Sequence, residues 1–164
     1  MKQEISISLK MSELIYDIQN KTYLTGRSLV NEGDPGSHNA HVANMQANDD
    51  DENAAQILRS ITMAYAVLRT RLSEYIDMSD VASDNESLTD SKDLTFSLQM
   101  PSNFNAGVTK TLGEAAHQFI VATAIADWFA ITAKGETTDY TSVASTALSV
   151  LEEALCKRSR PKRS

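Results

Sequence analysis

The stretch Thr111–Gly135, TLGEAAHQFIVATAIADWFAITAKG, sets the architecture of the chain. Phe119, Ile120, Val121, Ile125, Trp128, Phe129 and Ile131 leave no sustained polar face between Ala115 and Ala133. A helix apolar nearly all round is covered on most sides, at the centre of a bundle or against a neighbouring subunit. Thr111-Leu112-Gly113-Glu114 has the spacing of a capping box, in which a hydroxyl and a carboxylate three residues apart satisfy free N–H groups at a helix start. Lys134-Gly135 supplies a basic last turn and a glycine stop.

Outward from this segment, apolar spacing predicts three more helices. One starts near Ser12 and carries Met11, Leu14, Ile15 and Ile18, with Gly26 weakening its far end. A second spans about Glu52 to Asp77, with a stripe from Ile57 through Ile61, Tyr65, Leu68 and Leu72 to Tyr75 and Ile76. Asp49, Asp50, Asp51 and Glu52 stand at its start, where carboxylates meet the positive end of the helix dipole. The last begins near Thr138 and places Tyr140, Val143, Ala144, Ala147, Leu148, Leu151 and Leu155 on one face. Two segments alternate with period two instead: Ile5, Ile7 and Leu9 at about 4–10, and Leu94, Phe96, Leu98 and Met100 at about 93–100. An isolated strand leaves its ladder groups unpaired, so these two are expected to pair. The expected fold is mainly α, a four-helix bundle with a minor two-stranded β-sheet and an extended basic C-terminal arm. Residues 1–155 form one domain in this reading, and residues 156–164 the arm.

Charge divides the chain in the same place. Five of its 15 basic side chains, Lys157, Arg158, Arg160, Lys162 and Arg163, lie in the arm, so residues 1–155 hold 10 against all 22 acidic ones, a balance of −12. A run of like charge beside Pro161 cannot bury itself; it is solvated or docks on something else. Nucleic acid is one conceivable partner, but the acidic body opposes it, which favours an acidic protein groove over DNA or a passive tail.

No apolar run approaches the ~20 residues of a membrane span, so no membrane contact is expected. The N-terminal residues lack a secretory pattern, and the single cysteine, Cys156, builds no disulfide or cysteine-based zinc site within one chain. The segments Asn31–Asn48 and Met78–Lys92 are polar and read as long loops, the first mobile or held by a partner for want of apolar anchors.

Residues with chemical potential are few. His38 and His41 have a ligand-like spacing near Asp49, Asp50 and Asp51, although a flexible loop without a third histidine favours solvated side chains. His117 and Asp127 stand ten residues apart on one helix and do not touch, so His117 reads as a surface or interface residue. No nucleophile elbow, phosphate loop or dinucleotide fingerprint occurs. Neither enzymatic activity nor a cofactor is expected. Phe119, Ile120, Trp128, Phe129 and Ile131 are the candidate core or subunit-interface anchors. The arm residues Lys157, Arg158, Arg160, Pro161, Lys162 and Arg163 are the candidate docking site.

The order strand, two helices, strand, then Leu98-Gln99-Met100-Pro101-Ser102-Asn103-Phe104, a helix with Ala126-Asp127-Trp128-Phe129, and a last helix ending in Lys157-Arg158-Ser159-Arg160-Pro161 resembles small virion neck proteins of tailed phages of Bacteroides-type bacteria. In architecture it is similar to the helical head-tail connector or adaptor proteins below the portal. That resemblance implies a virion protein assembled in the host bacterial cytoplasm, in a ring that is commonly twelve-fold. Its arm would reach the portal or neighbouring neck and tail proteins, and DNA would pass nearby without specific binding. Adaptor, lower ring and tail component all fit the likeness. The alternative is a free cytoplasmic bundle that binds or regulates one partner.

Overall fold

The computed structural model describes residues 2–28, 46–47, 50–76 and 92–163. Its two alternating stretches pair: β1 (Gln3–Leu9) and β2 (Leu94–Met100) run antiparallel, with Gln3 opposite Met100, Ile7 opposite Phe96 and Leu9 opposite Leu94. This register puts the apolar residue of every second pair on one face, where Ile5, Ile7, Leu9, Leu94, Phe96, Leu98 and Met100 are all buried. Tyr65 packs its ring 5.0 Å from that of Phe96 and donates its hydroxyl to the Thr95 carbonyl, fixing the sheet on the bundle.

Four helices follow among the described residues: α1 (Met11–Ser28), α2 (Asp51–Arg71), α3 (Thr109–Thr132) and α4 (Thr137–Leu155). The chain is thus a helical bundle with a small antiparallel sheet. Only Lys10 separates β1 from α1, and the Met11 N–H donates to the Asp93 carboxylate at 3.0 Å, so the residue before β2 closes the start of α1.

The apolar α3 lies at the centre, touching α1, α2, α4 and β1, with half of its 24 residues buried. By length and composition it could cross a membrane, contrary to the sequence expectation, yet most of it is packed inside the bundle. Phe119, Ile120, Trp128 and Phe129 are covered by the chain itself, whereas Ile131 is 65% exposed. Ile131 is therefore not a core residue of this chain.

The elements depart from their local end signals at three places. The Thr111 capping box is not used, because the chain turns earlier: Asn105 Oδ1 accepts from Gly107 N–H at 3.0 Å, a 3₁₀ turn spans Ala106–Val108, and α3 starts at Thr109. Gly135 does not stop the chain in a left-handed conformation; it sits in a 3₁₀ turn, Lys134–Glu136, that leads directly into α4. The second helix ends at Arg71 rather than Asp77. Tyr75 and Ile76 leave the helix to cover the outer edge of β2, where Ile76 bridges Leu98 and the Gln99 N–H donates to the Tyr75 carbonyl at 2.6 Å.

One more expectation changes at the start of α2. Ala47 is completely buried and its N–H donates to Thr22 Oγ1 at 3.1 Å, so the segment before α2 does carry an apolar anchor. His38, His41, Asp49 and the greater part of both long loops lie outside the described residues.

Candidate functional site

Two features carry the polar chemistry of the described surface, the basic arm and a groove beside β1. The arm does not leave the body at Cys156. Ser159 N–H donates to the Asn103 carbonyl at 2.8 Å and Asn105 N–H to the Lys157 carbonyl at 3.1 Å, a one-rung antiparallel bridge between Arg158 and Phe104. Phe104 is buried, so the bridge rests on the core. The Arg158 guanidinium turns inward and donates to the carbonyls of Leu155 (2.8 Å) and Lys157 (3.1 Å), satisfying the end of α4 where carbonyls lack helical partners. Lys157 Nζ pairs with Glu153 at 3.1 Å.

Two of the five expected docking cations are therefore engaged at home. Arg160, Lys162 and Arg163 are exposed, without an ion pair among the described residues, and Pro161 lies between them. Cys156 is exposed at the root.

The groove, of about 760 Å³, is lined by Ser6–Lys10 of β1 and its turn, by Glu13 and Asp17 of α1, and by Thr109, Lys110, Gly113, Glu114 and His117 of α3. Close approach of α3 to the strand makes it possible: a Cβ on Gly113 would stand 3.7 Å from the Ile7 side chain. At its wall His117 Nε2 meets Asp17 Oδ2 at 2.6 Å, both side chains only partly exposed. Glu13 and Glu114 are exposed and make no ion pair among the described residues.

Asp17 was not singled out in the sequence, being 100 residues from His117; the available signal was that each lies at the border of a buried stripe, beside Ile18 and Ala116. Asp127, the sequence neighbour on the same helix, hydrogen-bonds Ser60 of α2 instead. Partial burial against the bundle raises its carboxyl from the ordinary aspartate value, and the Ser60 bond opposes that shift.

Among the described residues no cluster of three or more potential metal ligands occurs. Compared with known proteins, the chain matches no family model, no curated protein and no solved structure.

Proposed function

We propose that this chain is a structural protein of a tailed-phage particle, a head-tail connector that assembles into a ring below the portal and docks through its basic arm on a carboxylate-bearing protein surface. What supports the reading is the arm: three cations with no ion pair among the described residues, on a fixed root, beside a body of net charge −12. A root already held in place leaves less conformational freedom to be lost on docking. Guanidinium groups recognise carboxylates through paired hydrogen bonds, which gives such contacts geometric specificity. The acidic body repels phosphates and suits a wall past which DNA must slide without being held. In this role the chain has no catalytic step, binds no cofactor and resides in the virion neck.

The test is incorporation. Phage particles assembled with a chain lacking residues 160–164 are expected to accumulate as filled heads without tails, while the truncated protein folds normally. The intact protein is expected to bind duplex DNA weakly and to lose that binding near physiological salt. Tail-bearing, infectious particles made with the truncated chain would exclude docking through the arm. A protein that stays small even with its portal would indicate a free regulatory bundle instead.

A further inference from the structure

The groove beside β1 is an open sheet edge. Ser6, Ile7, Ser8, Leu9 and Lys10 all line it, yet side chains of successive strand residues point to opposite faces, so only the backbone edge can present five in a row. The hydrogen-bond pattern agrees. Gln99 sends its N–H to Tyr75, away from β1, so Gln99 and Glu4 form a pair whose backbone groups face outward on both strands. Alternation then turns the N–H and C=O groups of Glu4, Ser6 and Ser8 away from β2. The outer edge of β2 is covered by Tyr75 and Ile76, whereas no described residue makes a backbone bond to the outer edge of β1. Such an edge is a template for one more strand.

We propose that the basic arm of a second copy of this chain occupies this edge, which deepens the ring-forming reading above by naming the contact that links successive copies. Charge offers this occupant two partners. Asp17 is taken by His117, but Glu13 and Glu114, like Lys10 and Lys110 in the same groove, make no ion pair among the described residues. Nor do Arg160, Lys162 and Arg163, so two free carboxylates stand ready for the arm's cations. Backbone register favours it as well. At the root, Lys157 and Ser159 direct their groups toward residues 103–105, so an arm that stays extended turns those of Arg160 and Lys162 outward. The nitrogen of Pro161, which has no proton to give, then faces the other side and interrupts no rung. Arg160 and Lys162 repeat with the same two-residue spacing as Ser6 and Ser8. Because donor arm and acceptor edge are different surfaces, the contact is head-to-tail, the kind that closes into a ring or grows into a filament.

Sedimentation of the purified full chain tests the contact. The wild type is expected to run as a multiple of 18.0 kDa, and a chain lacking residues 160–164 as a single, slightly lighter chain. Ser6→Pro removes one outward N–H without touching the β2 ladder and should also prevent assembly while preserving the melting temperature. Charge reversal gives the stricter comparison. Arg160→Glu with Lys162→Glu in one chain, and Glu13→Lys with Glu114→Lys in another, should each remain single alone and assemble when mixed, since every arm then meets an opposite groove. A wild type that stays at 18.0 kDa, a truncated chain that assembles like the wild type, or reversed chains that do not assemble on mixing would overturn the proposal. A full chain that stays single yet enters particles through residues 160–164 overturns this contact and leaves the connector reading standing. Self-assembly without entry into particles does the opposite.

Discussion

The hydroxyl of Thr22 makes three hydrogen bonds with none of the residue exposed: it donates toward the carbonyls of Ile18 (2.8 Å) and Gln19 (3.0 Å) and accepts from Ala47 N–H (3.1 Å). Thr22→Val keeps the shape but leaves the buried Ala47 N–H without an acceptor, at a cost of about 1–3 kcal/mol in denaturant unfolding. An unchanged midpoint would mean that Ala47 is not held there. Asp127 predicts a pH effect of definite sign. Its carboxyl is raised in the folded chain by desolvation, with the Ser60 bond opposing, so between the ordinary and the raised value the native state binds more protons than the unfolded one. Stability from this group is therefore present below that window and falls as pH rises through it. Asp127→Asn should remove the fall and unfold no more easily at neutral pH. Because Asp127 is only partly buried and still reaches solvent, screening keeps the effect small. A variant less stable at neutral pH than the wild type would show that the charge is favourable where it stands.

At the scale of elements, the arm divides between Ser159 and Arg160. Removing residues 160–164 takes away no hydrogen bond that the described residues make with the body, and should leave the melting temperature unchanged. Removing residues 157–164 also deletes the two backbone bonds to residues 103–105 and the Arg158 cap on α4. At ~0.5–1.5 kcal/mol for each such bond, the longer deletion should cost roughly 2–4 kcal/mol, readable by thermal melting of the two truncations side by side. Equal melting would show that the clamp is not formed in solution. The stripes of α1 to α4 and the alternation of β1 and β2 were legible in the sequence because burial imposes a period on each element. Most element ends were legible too, β1, β2 and α4 falling within a residue of their expected bounds, but the end of α2 was not. The apolar residues Tyr75 and Ile76 and the capping spacing at Thr111 are local signals, and each yielded to contacts made from far along the chain. Phe104 and Asn105 are tied to the arm, and the outer edge of β2 needed a partner. The clamp itself leaves no trace in spacing, since the 53 residues between Phe104 and Arg158 carry no pattern linking them.

For the molecule as a whole, stability is concentrated in α3, against which every other helix and β1 pack. Trp128 is 6% exposed near its far end, and Trp128→Ala should cost about 3–5 kcal/mol, or roughly 6–20 °C in melting temperature for a domain of this size. A loss below 1 kcal/mol would show that the indole is not a core group. The groove belongs to this scale too. Its walls come from β1, α1 and α3, and the Asp17–His117 pair exists only once α1 lies along α3, so no local stretch could have announced it. The bridge between Arg158 and Phe104 has a mechanical side. Any load pulling on Arg160–Arg163 passes first into Asn103–Asn105, a few residues before the central helix begins, and is delivered to the stiffest part of the body rather than to a fraying helix end. Stretched from residue 163, the chain should hold its core until those rungs shear, and then lengthen by only the few residues between the rungs and the end of α4 before the helices themselves bear the force.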